Sequence, residues 1–295
     1  MANGGIIGPV QTVTAESTLA AKVTTFTSSG TFTAQATANV NYLVVAGGGG
    51  SGSVRSGCAN SRGGGGGAGG YRASGFGPSP LQGCAVPVVG STGYTVTIGA
   101  GGATSCAAPV GNGEDSVFAY NGANITSTGG GHGGSHRSGQ QAGGSGGGAA
   151  PGQSPSGAAG NTPPTDPSQG NSGGNGTGEN NPANNNAGGG GGGATAVGTN
   201  GGPPGGAGGA GAPNTISGSD VTYAVGGTGA PGAPNSAGTT NRGNGGNGTQ
   251  GPGGNAGGSG IVIIKEPEST SPATAPGVWS LNEVYDNVKA GTWTN

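Results

Sequence analysis

Gly245, Gly248, Gly251, Gly254, Gly257 and Gly260 recur at every third position without a miss, and Gly202, Gly205, Gly208 and Gly211 do the same. That interval matches a left-handed extended helix with about three residues per turn, ~3.1 Å rise and no internal hydrogen bonds. With glycine on the facing edges, such helices can pack side by side, bonding N–H to C=O across chains, with Cα–H···O contacts in support. The competing reading of so much glycine is flexible low-complexity linker. Glycine makes up 79 of 295 residues, so short triplet runs also arise by chance. Two features favour order. Strand-like segments bracket each glycine-rich excursion, which lowers the entropy lost on ordering. Pro203, Pro204, Pro213, Pro231, Pro234 and Pro252 fix φ near the value this helix requires. Collagen is excluded, because Gly-Gly pairs break the triplet too often.

The supply of bulky apolar residues is short. Val, Ile, Leu and Phe make up about 12% of the chain, below the ~20% at which a chain struggles to fill a core. The net charge is only −2, so this is not self-repelling disorder. Stretches 129–196 and 226–260 hold no Val, Ile, Leu, Met, Phe, Tyr or Trp. The apolar residues gather instead in short strand-like segments: 22–27, 30–33, 40–46, 81–89, 93–98, 116–120, 123–126, 220–225 and 261–265. Asn121-Gly122 reads as a hairpin turn, since both residues need φ > 0. Ser28-Ser29-Gly30 reads as a second tight turn, between Phe26 and Phe32. Tyr94, Val96 and Ile98 alternate with Thr95 and Thr97, whereas 43–45 and 261–264 have no polar face and read as strands covered on both sides. The expected fold is all-β: a small β-sandwich framework with inserted glycine-rich excursions, either flexible or packed as extended helices, plus a short C-terminal helix. The expected organisation is an arm over 1–21, the glycine-rich domain over 22–268, a linker over 269–276 and a tail over 277–295.

Four motifs occur in order. Tyr42-Leu43-Val44-Val45-Ala46 runs into Gly47–Gly50; Gly63–Gly67-Ala68-Gly69-Gly70 precedes Tyr71-Arg72. Gly93-Tyr94-Thr95-Val96-Thr97-Ile98 leads into Gly99-Ala100-Gly101-Gly102, and Gly258-Ser259-Gly260 leads into Ile261-Val262-Ile263-Ile264-Lys265. This set resembles the glycine-rich domain of bacteriophage tail-fibre and adhesin proteins, over residues 22–265. The resemblance implies stacked polyglycine-II helices that present loops to a host surface. Residues 151–187 depart from it, being rich in Pro, Asn, Ser, Gln and Thr, and read as a long insertion or a divergent exposed loop.

The tail has helix signals. Ser280 and Glu283 form a capping box, Trp279 and Val284 a hydrophobic staple, and Gly291 a stop. Leu281, Val284, Tyr285 and Val288 form one apolar stripe, with Trp293 beyond it. A helix this short is marginal alone and must dock, either on its own framework or on another protein. It is also similar to the closing segment of marine-phage structural proteins, which implies a contact with other virion proteins through Trp279, Leu281, Val284, Tyr285, Val288 and Trp293.

No chemistry is legible. His132 and His136 lack a helix to align them, Glu114-Asp115 reads as a solvated turn, and no glycine motif precedes a helix or carries Gly-Lys-Ser/Thr. Cys58, Cys84 and Cys106 have no Cys-x-x-Cys spacing, leaving free thiols or one bridge. Neither metal nor cofactor is expected, and eight scattered basic residues make nucleic acid an unsuitable partner. The longest aliphatic run, at 261–264, is far short of the ~20 residues that span a bilayer, and no signal peptide is seen at the N-terminus.

The expectation is therefore a non-enzymatic virion surface protein, assembled in the host cytoplasm, that mediates attachment to a host glycan or outer-membrane protein. A capsid decoration or head-fibre protein is the alternative. A homo-oligomer is expected, a trimer being one form. Aromatic and arginine side chains dominate interface energies, which singles out Arg55, Arg62, Tyr71, Arg72, Phe76, His132, His136 and Arg137 as receptor-binding candidates.

Overall fold

The computed structural model describes residues 17–52, 62–103, 111–135, 139–152, 156–178, 186–232, 235–250, 253–271 and 289. The chain divides into two compact units, one of residues 1–21 with 268–295, the other of residues 22–267. In the first, β1 (Ser17–Leu19) pairs antiparallel with β14 (Ser269–Ser271). Residues 269–271 are thus a paired strand where the sequence suggested a linker. The expected C-terminal helix, with Trp279, Leu281, Val284, Tyr285, Val288 and Trp293, lies outside the described residues; Lys289 alone is described there, in helical conformation.

The second unit is built on two adjacent strands, β4 (Ala38–Val45) and β13 (Ile261–Glu266), paired antiparallel with Val44 opposite Val262. β2 (Lys22–Phe26) flanks β13. On the other side lie β5 (Tyr71–Ser74), then β6 (Gln82–Gly83) parallel to it, while β7 (Val86–Val88) pairs with the start of β4. A second sheet runs β10 (Ala123–Ser127), β9 (Ser116–Tyr120), β8 (Gly93–Thr97), β3 (Gly30–Thr33). Between the sheets Val40, Tyr42, Val44, Val262 and Ile264 meet Phe32, Tyr94, Val96 and Phe118. The Phe118 ring stands edge-on to Phe32 and Tyr94, with centroids 6.0 and 6.5 Å away.

The first sheet is covered on its other face as well, as its unbroken apolar strands require. Leu43, Val45, Ile261 and Ile263 pack under Tyr71, Ile216 and Tyr223 and under the small side chains of Ala68, Ala194, Ala212 and Ala224. The hairpin of β11 (Ala212–Asn214) and β12 (Val221–Tyr223) supplies part of that cover. The fold is all-β, with no α-helical element among the described residues. Asn121 and Gly122 turn between β9 and β10 at φ of 40° and 76°, the two-residue hairpin read from the sequence. Ser28-Ser29 makes no hairpin: β2 pairs with β13 and β3 with β8, so this turn carries the chain from one sheet to the other.

Candidate functional site

Strands of the second unit continue directly into glycine runs. β4 feeds residues 46–52, which return as 63–70 into β5; β8 feeds 99–103, which return as 111–115 into β9; β10 feeds 128–134. Residues 205–211 lead into β11, β12 feeds 224–230, and 255–260 lead into β13.

Run 63–70 shows the bonding. Gly63, Gly66 and Gly69 donate to the carbonyls of Thr249, Gly246 and Gly243. Gly64, Gly67 and Gly70 donate to Gly134, Gly131 and Thr128, and Gly65 and Ala68 to Gly189 and Gly192. Successive residues thus face three different neighbours and return to the first on the fourth, the signature of a threefold extended helix. Three further runs donate to it: Gly52 and Gly49 to Gly64 and Gly67, Gly148 and Ser145 to Gly65 and Ala68, and Gly227 and Ala230 to Gly66 and Gly63. A run enclosed by neighbours on all sides is the interior of a lattice, and runs 46–52 and 187–194 are enclosed in the same way. Neighbour directions are mixed: acceptors fall from 249 to 243 as donors rise from 63 to 69, yet rise from 189 to 192 beside 65 and 68.

Only glycine permits this spacing. A Cβ on Gly65 would stand well under 3.0 Å from the Gly227 carbonyl oxygen, and one on Gly191 equally close to that of Gly66. The long triplet run at 245–260 is not one helix. Gly258 donates to Asn244, while a Cβ on Gly246 would meet Asn255, so two antiparallel runs carry the repeat; Gly251 lies outside the described residues. Likewise only Gly208 and Gly211 of the second set stand in a run, since Gly205 turns at φ of 127° after Pro203-Pro204. Residues 169–178 and 187–195 extend the lattice through part of the sequence that read as an insertion: Asn171, Gly174 and Thr177 donate to Gly193, Gly190 and Ala187.

Side chains complete the lattice where a backbone neighbour is missing. Asn244 Oδ1 accepts from Val225 N–H (3.0 Å) while Gly245 N–H donates to Val225 O (2.9 Å). One turn later Asn247 and Gly248 hold Thr228 the same way, and Asn200 and Gly201 hold Asn175. Asp115 and Asn112 accept from Gly129 and His132, so the acidic pair read as a solvated turn closes a lattice edge through Asp115. Buried Gln169 accepts from Thr128 N–H (2.8 Å) and donates to Pro163 O (3.0 Å).

The topology gives this unit two poles. Some runs leave or enter a strand and the others are set in register against them, so one pole is sheet and the other is where runs break off and resume. Gly52, Arg62, Gly134, Gly178, Asn186, Gly201, Pro231 and Gln250 mark this tip. Its ends are bonded together: Gly63 to Thr249 (3.1 Å), Gly188 to Ala230 (2.8 Å), Gly152 to Thr177 (3.1 Å), and Gln250 Nε2 to Pro231 O (3.2 Å). Arg62, half-buried, is the one charged side chain among the described residues there; the rest are glycines, with amides, hydroxyls and prolines among them.

The five described residues among those proposed from sequence for receptor binding are not brought together. Of these five, Arg62 is the one at the tip. Tyr71 is buried beside β11, its hydroxyl accepting from Asn214 Nδ2 (2.7 Å), and burial pushes its pKa up to about 12 against that bond. Arg72 is half-buried on β5. Phe76 lies beyond β5 at the sheet pole, with φ of 51° and Lys265 Nζ 4.4 Å from its ring centre. His132 is buried in a run, its Nδ1 3.0 Å from Gly133 O. Arg55, His136 and Arg137 lie outside the described residues, as do Cys58 and Cys106, while Cys84 is an exposed free thiol. Sequence reasoning missed the tip amides, because only the lattice register shows which polar residues end a run.

No curated protein matches the chain. The family model for a glycine-rich domain matches residues 25–266, more than half of the chain and nearly all of the second unit. The chain therefore belongs to the glycine-rich domain family.

Proposed function

We propose that this chain is a phage virion surface protein, a tail-fibre or adhesin component that attaches to the host by binding without catalysis. The observation that carries this reading is the polarity of the second unit. Its two ends leave side by side, Lys22 opposite Glu266, at the pole away from the tip. A body held by one end and presenting a bonded plate at the other suits display. A rigid lattice also presents tip side chains at little ordering cost on binding. The tip's neutral amides and hydroxyls match the hydrogen-bonding groups of a surface glycan, and the resemblance of the four sequence motifs points to phage attachment. Neighbouring virion proteins would be met through residues 277–295, and assembly as a homo-oligomer belongs to the same reading.

The test is competition. Purified full-length chain in excess should block adsorption of particles that carry it. Arg62→Ala, Asn186→Ala and Gln250→Ala combined should abolish the block, while Phe76→Ala at the opposite pole should preserve it. The reverse pattern would sink the assignment of the tip. Immunogold label on heads alone would favour the decoration or head-fibre reading.

A further inference from the structure

Six Asn-Gly steps fall among the described residues: Asn112-Gly113, Asn121-Gly122, Asn175-Gly176, Asn200-Gly201, Asn244-Gly245 and Asn247-Gly248. In this dipeptide nothing on the second residue hinders its nitrogen. That nitrogen can lose its proton, attack the asparagine Cγ and expel the side-chain nitrogen as ammonia. Water then opens the cyclic imide at either carbonyl, leaving aspartate or its β-linked isomer. The reaction requires a glycine N–H free to ionise and a carboxamide free to swing over it.

The lattice removes both freedoms at four of the six. The carboxamide oxygens of Asn112, Asn200, Asn244 and Asn247 accept from His132, Asn175, Val225 and Thr228 N–H at 2.9, 2.9, 3.0 and 2.9 Å. The glycine N–H that follows each donates to Gly130, Asn175, Val225 and Thr228 O at 2.9, 2.7, 2.9 and 2.7 Å. Asn175 also has its carboxamide oxygen engaged, by Gly157 N–H at 2.9 Å. A hydrogen-bonded lattice amide ionises only when the structure opens, as in amide exchange.

Asn121-Gly122 differs at the glycine: its carboxamide is bonded, to the Tyr94 hydroxyl and Pro87 O, but at an exposed turn where water can replace those partners. Both residues are exposed, Gly122 N–H donates to no carbonyl among the described residues, and a Cβ on Gly122 would meet nothing within 4 Å. We propose that Asn121 is a site of spontaneous deamidation in the folded protein, and that the lattice shields the steps at Asn112, Asn200, Asn244 and Asn247. The conversion has structural consequences. Asn121 Oδ1 accepts from the Tyr94 hydroxyl (3.0 Å) and Nδ2 donates to Pro87 O (2.9 Å), tying the turn to β8 and β7. Aspartate keeps the first bond but turns an oxygen toward the Pro87 carbonyl. The β-linked isomer adds a backbone atom to a two-residue turn and breaks the pairing of Tyr120 with Ala123.

The test uses the full chain, held folded at mildly alkaline pH and mapped by mass spectrometry for aspartate and its isomer, with a parallel sample in urea. Folded, Asn121 should convert at least about tenfold faster than Asn112, Asn200, Asn244 or Asn247, and in urea the five should converge. Conversion of Asn244 or Asn247 as fast as Asn121 in the folded sample overturns the proposal, and so does an Asn121 no faster than they are.

Discussion

Gly65 and Gly227 approach so closely that a Cβ on Gly65 would stand well under 3.0 Å from the Gly227 carbonyl oxygen. The two residues lie in neighbouring runs whose backbones are bonded to each other, Gly227 N–H donating to Gly66 O at 2.9 Å. Gly65→Ala must therefore push two backbones apart in the interior of the lattice, and it should destabilise the protein by about 3 kcal/mol or more. Gly178 is the control: a Cβ there meets nothing within 4 Å. Gly178→Ala should stay within about 0.5 kcal/mol of the parent. Chemical denaturation of the two variants checks the contrast. Equal stability would mean that the runs are not packed at this distance.

Amide exchange tests the lattice without mutation. Residues 63–70 donate in turn to three neighbouring runs, so their N–H groups should exchange only with opening of the whole lattice. The same holds for 188–193. By contrast Ser217 and Ser219, in an exposed turn and donating to no backbone carbonyl among the described residues, should exchange freely. Exchange of residues 63–70 at the rates of an unstructured peptide would falsify the packed arrangement.

The tyrosines set an alkaline limit to stability. Burial raises the pKa of Tyr71 to about 12, and it also raises those of Tyr42 and Tyr223 above the usual phenol value of 10.0. In each case the folded state favours the neutral phenol. For Tyr71 the stabilisation is therefore complete below pH 10.0 and is lost as pH rises toward about 12. In that window it lowers stability by up to about 1.4 kcal/mol per pH unit, and Tyr42 and Tyr223 act in the same direction. Denaturation midpoints across the range, read beside tyrosinate absorbance, should show the decline. Tyr71→Phe removes one contributor, and it should flatten the slope while leaving the Asn214 amide without its acceptor.

Much of the framework was legible because alternation and β-branching report burial directly. Tyr94 and Val96 point inward from β8, and the stretches with no polar face, 43–45 in β4 and 261–264 in β13, are covered on both sides. Short strands escaped notice: β5 carries Arg72 amid small residues, and β11 pairs around Pro213, so neither has an apolar run to announce it. The triplet repeat pointed to the right helix type but not to where it turns, since glycine fits a run and a bend equally well. Gly205 and Gly208 illustrate this, the first at a turn and the second in a run. The burial of Tyr71 and His132 was hidden for a related reason. Side-chain type made them binding candidates, whereas Gly70 and Gly133 are lattice residues that bury what they flank.

On the proposed reading that residues 277–295 meet other virion proteins, removal of residues 272–295 separates that contact from folding. The truncation keeps β1 and β14 and leaves every residue of the second unit in place. The truncated chain should unfold with the same midpoint for the glycine-rich unit as the full chain. It should also fail to incorporate into particles, scored by immunoblot of purified virions. Full incorporation would reject the tail as the virion contact.

The asparagine clamps give the lattice its most specific test. Thr228 is held at both backbone atoms, its N–H by Asn247 Oδ1 (2.9 Å) and its carbonyl by Gly248 N–H (2.7 Å). Asn247→Ala leaves the half-buried Thr228 N–H without an acceptor, at a cost of about 1–3 kcal/mol. Asn247→Asp keeps an oxygen in place and loses only the Nδ2 donations, among them the 2.7 Å bond to Ser236 Oγ. That variant should cost about 1 kcal/mol. Alanine therefore ranks below aspartate in stability, although a solvent-facing asparagine would give the two no such order. Exchange of the Thr228 amide should quicken in the alanine variant and stay slow in the aspartate one, which places the effect at the clamp itself. The same pair of substitutions at Asn244, reporting through Val225, should reproduce the ranking one turn away.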